Sequence, residues 1–384
     1  MKAVFEKTGS PEGLIQAVEI LLKEEKPAGL MILAADANGF TPENLDPLLK
    51  KLKTPVFGGI FPQIIHSGQN LELGSVIVSM PVTPEIVCIR NLSDPEALYE
   101  DQLAPFSDKW GQPQHSNDET FIVFVDGLSR RISSLIQDMF YCFGLQRNYI
   151  GGGAGSLSFS QKPCLITPDG LLQDVAVVAK LALSCGTGVA HGWEAISEGM
   201  KVTQAEGNVL LTLDWRPAFD VYRELVEGHS GLRFTDDNFF DLAKSYPFGI
   251  SRLDTEVIVR DPLMKNQNNG LVCVGEIPPG SFVRLLHGRP ESLINAATKA
   301  RQLAEQATRC STVSGNALII DCISRVLFLK DRISEELKAA GGKHQLFGAL
   351  TLGEIANSGQ DYLEFFNKTT VIGIFDDERN SQQY

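Results

Sequence analysis

Residues 121–126 read F-I-V-F-V-D and residues 148–152 read N-Y-I-G-G, with the helical run S-S-L-I-Q-D-M-F-Y-C-F (133–143) between them. A buried β run closed by Asp, an amphipathic helix and a short apolar strand broken by small residues make one supersecondary unit. The plan stands earlier in L-M-I-L-A-A-D (30–36), T-P-E-N-L-D-P-L-L-K-K-L (41–52) and P-V-F-G-G (55–59). It returns in A-L-I-I-D (317–321), L-K-D-R-I-S-E-E-L-K-A-A-G-G (329–342) and Q-L-F-G-A (345–349). Each copy then reaches one more strand: S-V-I-V-S-M (75–80), D-V-A-V-V-A-K-L-A-L (174–183) and T-T-V-I-G-I-F (369–375). A weaker fourth copy starts at N-V-L-L-T-L-D (208–214) and runs through Y-P-F-G-I (246–250) to E-V-I-V-R-D-P (256–262). Self-similarity on this scale indicates duplicated units rather than a short-period solenoid.

Helix signals agree. Ser10-Pro11-Glu12 and Thr41-Pro42-Glu43 each offer a capping side chain, Pro at the first helical position and an acid in the first turn. A long amphipathic run precedes the first copy (10–25) and the third (292–307). The expected fold is α/β. It has two similar halves, 1–200 and 201–384, built from repeated β-α-β-β units whose mixed sheets are flanked by helices. An αββα layering is one arrangement that fits.

The glycines fall at matching points of the copies: Gly58-Gly59, Gly151-Gly152-Gly153 and Gly348-Ala349. A phosphate cradle needs a helix directly after the glycines, but Gly155 leads into S-L-S-F-S-Q-K-P-C, which alternates and contains Pro163. Two uses remain. Small residues let backbones pack closely, or they leave a concavity for a ligand.

Composition narrows the function. A formal net charge of −13 with no Lys/Arg stripe disfavours nucleic acid and anionic membrane surfaces. No run approaches the roughly 20 apolar residues of a membrane helix. The opening M-K-A-V-F-E-K-T-G-S has no long apolar core, and seven irregularly spaced cysteines suit reduced thiols, so a cytoplasmic protein is expected. No G-x-S-x-G, H-E-x-x-H or C-x-x-C pattern nominates a catalytic or zinc centre, which favours a binding protein over an enzyme.

G-G-G-A-G-S (151–156), H-G-W (191–193), V-T-Q-A-E-G-N-V-L (202–210), L-D-W-R-P-A-F-D-V-Y (213–222), G-A-L-T-L-G-E-I-A (348–356) and F-F-N-K-T (365–369) together resemble the FIST family, in order and spacing, over nearly the whole chain. The resemblance implies an intracellular sensory module for a small ligand. It further implies a free-standing bacterial member of a kind that includes haem proteins sensing nitric oxide and regulating a histidine kinase. The chain departs from the family pattern at Ser156, where Asp is common, and at Phe366, where His is common. The second change is expected to make the C-terminal pocket more apolar.

If haem binds, His66 and His191 are the candidate iron ligands, because each adjoins apolar residues, while Trp193 and Gly58, Gly59, Gly151, Gly152 and Gly153 would line the cofactor. Each histidine also reads as a hydrogen-bonded turn residue. Glu354 and Asn367, in the family's C-terminal signature, are the leading polar ligand contacts, with Tyr246 and Arg325 behind them and Asp126 open to a ligand amine. Cys322 reads either as a thiol exposed in the cavity with its pKa lowered by Arg325, or as a small buried apolar residue. Other readings are a non-haem receptor for an amino-acid-like or apolar metabolite, a small-molecule enzyme acting through Cys322 or Glu354, and an interaction scaffold.

Overall fold

The structure is a computed structural model that describes residues 1–115, 118–235, 237–251, 257–308, 315–358 and 362–376. Ser10 Oγ accepts from Gly13 N (3.0 Å) to start helix Pro11–Glu24, and Asn44 Oδ1 accepts from Thr41 N (2.9 Å) at the start of helix Pro42–Leu49, as the capping signals indicate.

Three α/β units follow one plan. In the first, edge strand Lys2–Glu6 and helix Pro11–Glu24 lead to strand Gly29–Ala35, helix Pro42–Leu49 and strand Val56–Phe61. A hairpin, Gln63–His66 with Gln69–Leu71, and a return strand, Ser75–Met80, complete it. The second unit repeats this from Glu85–Arg90 to Val175–Leu181, around the parallel pair Thr120–Asp126 and Asn148–Ala154. The third repeats it from Cys185–Ala190 to Thr370–Phe375, around the parallel pair Asn316–Cys322 and Gln345–Thr351. β-Branched and aliphatic residues fill these central strands because both faces are covered.

No unit finishes its own sheet. The hairpin of the first unit pairs with Gln345–Thr351 of the third, through Phe347 opposite His66. The hairpin of the third, Glu354–Ser358 with Tyr362–Phe366, pairs with Asn148–Ala154 of the second, through Glu354 opposite Gly152. The hairpin of the second, Leu165–Thr167 with Gly170–Leu172, pairs with Val56–Phe61 of the first, through Leu165 opposite Gly59. Three six-stranded sheets therefore close a ring of exchanged hairpins. One buried cluster at the centre draws on all three units, among them Phe61, Phe124, Ile150, Ile320 and Ala349.

The conserved geometry of the units explains the glycines. In the parallel pairs Gly58 lies opposite Ile32, Gly151 opposite Val123 and Gly348 opposite Ile319. A Cβ there would stand 1.9, 1.7 and 1.8 Å from the carbonyl oxygen of that partner. These positions sit inside strands, against backbone, and close packing accounts for them.

The weak fourth copy is something else. Between Cys185–Ala190 and helix Pro290–Ala307 the chain builds an antiparallel barrel. Strands Phe282–Gly288, Met200–Glu206, Val209–Leu213, Leu271–Val274, Ile258–Lys265 and Phe248–Ile250 pair in that order, and Phe248–Ile250 pairs back onto Phe282–Gly288. Residues 208–214 and 246–250 thus lie on opposite sides of one closed antiparallel sheet, with two strands between them in either direction, and are not the ends of a β-α-β unit. The chain is accordingly three units with one insertion rather than two similar halves, and residues 200 and 201 both lie within strand Met200–Glu206. None of the described helices is long and apolar enough to cross a membrane.

Candidate functional site

The parallel strands of the second and third units end at Asp126, Cys322 and Thr351. Crevices outside the carboxyl ends of parallel strands are the usual ligand sites of α/β sheets. Here the barrel faces those ends across an open-mouthed cavity of about 510 Å³. Its floor is Cys322, Ile323, Leu352 and Gly353, its far wall Asp261, Leu263 and Cys273 of the barrel, and its third side Gly127–Ser129. Leu157, Phe159, Phe240 and Leu327 also line it and are exposed, which places an apolar rim at the mouth.

Two buried polar side chains of the lining are left unsatisfied. Side chains alternate along hairpin strand Tyr362–Phe366. Phe365 faces the cavity, Phe366 turns into the central core, and Asn367 returns to the cavity. Asn367 is 2 % exposed, yet neither its Nδ2 nor its Oδ1 has a hydrogen-bond partner. Across the cavity Asp261, also buried, pairs through Oδ2 with Lys368 Nζ (3.0 Å), while its Oδ1 is unpartnered. Each buried orphan costs about 1–3 kcal/mol, and three of them belong to residues that line this one cavity.

Lys368 ties the two sides together. Its Nζ also donates to the Lys244 carbonyl (2.9 Å) and stands 4.8 Å above the Trp193 ring. Its carbonyl accepts from Trp193 Nε1 (3.1 Å) and from Arg325 (2.9 Å). Its backbone is left-handed (φ 55°), a strained state for a residue with a side chain.

A FIST N domain matches residues 29–216 and a FIST C domain residues 218–357. The chain belongs to the FIST family. FIST domains are sensory, signal-transduction domains that bind small ligands. No curated protein matches the chain. The two FIST matches meet inside the insertion, within and just after strand Arg216–Pro217, and both contribute to the cavity. Phe365, Asn367 and Lys368 lie beyond the FIST C match.

Of the residues singled out from sequence in this FIST protein, Cys322 and Asn367 line the cavity. Burial pushes the Cys322 thiol well up, and its Sγ accepts a hydrogen bond from Ser324 Oγ (3.0 Å). Arg325 does not lower it, because that guanidinium is committed elsewhere. Its Nε donates to Glu336 Oε1 (2.8 Å), lies 3.2 Å from Asp321 Oδ1, and its amino groups bond the carbonyls of His191 (2.6 Å) and Leu293 (3.1 Å). Arg325 is fully buried and serves as a tie between elements.

Glu354 lies behind the cavity, fully buried, accepting from Thr369 N (3.1 Å) and Thr351 Oγ1 (3.0 Å), and burial raises its pKa well above the usual carboxylate range. Asp126 accepts from Leu128 N (3.1 Å), Asp174 N (2.8 Å) and Gln161 Nε2 (2.7 Å), so it shapes the loop that borders the cavity. Tyr246 is on the barrel, bonded to His229 Nδ1 (3.0 Å) and stacked on His287. His66 stacks on Phe5 in the first unit's hairpin, 5.4 Å between centroids. His191 is buried and accepts from Trp193 N at Nδ1 (2.8 Å). Neither histidine, nor Trp193, nor any of Gly58, Gly59, Gly151, Gly152 and Gly153, lines the cavity. Ser156 bonds Asp36 Oδ2 (2.7 Å), and Phe366 is core, so the change at 366 leaves the cavity's polarity unaltered.

Sequence reading missed Asp261 and Lys368. Lys368 stands in the quoted F-F-N-K-T, where a lone Lys gives no sign of burial. Asp261 stands in V-I-V-R-D-P, which reads as one more repeat strand until the barrel is recognised.

Proposed function

We propose that this chain is a sensor that holds a small, largely apolar ligand between the barrel and the third α/β unit and passes its state to a separate signalling protein. The observation that carries the reading is the open-mouthed cavity of about 510 Å³ with Asn367 and Asp261 Oδ1 buried and unpartnered in residues of its wall. The volume falls within the roughly 300–1,000 Å³ of ordinary ligand pockets. A ligand signals only by favouring one conformation over another. One lodged here touches both bodies that the Lys368–Asp261 pair joins. Six described cysteines are free, which suits a reducing cytoplasm. A histidine kinase as the partner follows from the resemblance alone.

Haem ligated by His66 or His191 does not fit this cavity. None of the six histidines lines it, His191 already accepts a backbone N–H, and the buried Cys322 is held as a thiol rather than a thiolate. A ligand without iron suits the lining better.

The neutral dye N-phenyl-1-naphthylamine tests the cavity. Saturable binding is expected with a fluorescence rise, and Ser324→Trp, which fills the cavity from its floor, is expected to weaken it by about tenfold, near 1.4 kcal/mol. Absence of saturable binding, or equal binding by Ser324→Trp, would overturn the reading.

A further inference from the structure

The orphaned atoms specify more than a cavity. Asn367 presents a donor and an acceptor side by side on one planar amide, both unpartnered. A carboxylate would satisfy Nδ2 and repel Oδ1, and an ammonium would do the reverse. A group with adjacent N–H and C=O satisfies both at once. Peptide bonds in open chains are trans, so their N–H and C=O point opposite ways. Holding a secondary amide cis is strongly disfavoured unless a ring enforces it. Among secondary amides the complement of Asn367 is therefore a ring amide, and a ring carries apolar substituents around that edge with fewer rotatable bonds to immobilise than an open-chain primary amide.

Charge points the same way. Asp261 is already neutralised by Lys368 at 3.0 Å, so the buried wall beside Asn367 offers no spare counter-ion. Arg130, which is exposed, and Glu276 also line the cavity, one charge of each sign. Each ionic group brought into such a lining costs several kcal/mol of desolvation without a partner. A zwitterion would carry two such groups. Asp261 Oδ1 still lacks a donor, which a second N–H or an O–H on a neutral ring would supply.

We infer that the ligand is a neutral cyclic amide, of the lactam, imide or cyclic-dipeptide class, whose cis-amide edge pairs with Asn367 and whose further donor reaches Asp261, the rest of the molecule being apolar. This rests on the sensor reading above and names the chemistry of that same cavity.

The test is displacement of N-phenyl-1-naphthylamine from the full chain by three competitors: cyclo(Leu-Phe), its N,N′-dimethyl derivative and the linear dipeptide Leu-Phe. The cyclic dipeptide is expected to outcompete each of the others by about tenfold or more. In Asn367→Leu its advantage over the methylated ring is expected to shrink by about tenfold, leaving only what the Asp261 contact supplies. Equal displacement by the two rings in the unaltered protein would overturn the proposal, as would stronger displacement by the linear zwitterion. So would an advantage that Asn367→Leu leaves undiminished. Dye that binds but is displaced by no cyclic amide sinks the ligand class and leaves the cavity reading standing, whereas failure of the dye itself to bind removes both.

Discussion

Asp321 closes a central strand of the third unit with no exposure at all. It shares one guanidinium, that of Arg325, with Glu336. Two carboxylates around one cation cannot both ionise freely in a dry interior. Burial first, then the Glu336 charge, pushes the Asp321 pKa up to about 8. The sign of the linkage follows. Below the unfolded value of 3.8 the carboxyl is protonated in both states, and no penalty exists. Between there and about 8 the native state binds the extra proton, so stability falls as pH rises, and it levels off above. Asp321→Asn removes that proton's contribution. Urea unfolding across this window is expected to show unaltered protein losing stability relative to Asp321→Asn as pH rises. A flat difference would refute the assignment.

At the scale of the element, the parallel strand pair decides what a glycine is for. Gly151 exists because Val123 carbonyl approaches to where its Cβ would be. Gly151→Ala is expected to cost about 3 kcal/mol or more, as overpacking against backbone cannot be relieved by a rotamer change. Thermal unfolding measures it, and a melting point within about 2 °C of the unaltered protein would contradict the packing account. The helices and central strands were legible because period and capping are local signals: Ser10, Pro11 and the apolar run to Asp126 each speak for themselves. The exchanged hairpins were not, since nothing in Gln63–His66 states that its partner is nearly three hundred residues away at Gln345–Thr351. The barrel failed for a related reason. Val209–Leu213 followed by helix Ala218–Ser230 has the local look of a β-α unit, and only the antiparallel partners, Met200–Glu206 and Leu271–Val274, distinguish it. Of the site, Asn367 and Cys322 were within reach of sequence. Asp261 was not, because its meaning depends on a tertiary contact with Lys368.

Across the whole molecule, pairing joins distant parts of the chain. Strand Cys185–Ala190 pairs with Thr370–Phe375, and all three hairpins complete sheets that are not their own. Cutting at 200/201 severs the third unit from its edge strand and the first unit's hairpin from its sheet. Fragments 1–200 and 201–384, produced separately, are expected to lack a cooperative thermal transition. A sharp calorimetric transition in either would argue against the closed exchange. Folding should also be slow, because so many pairings close long loops.

The strand Tyr362–Phe366 carries Phe365 to the cavity wall, and Asn367 follows it directly. That strand is also the outermost rail of the second unit's sheet, and helix Ile132–Phe143 leans on it. A guest that shifts Asn367 by a fraction of an ångström therefore pulls on that strand through the backbone itself. News of occupancy would cross to the surface helix at a single step, the packing of Leu363 and Phe365 against Ile136 and Met139.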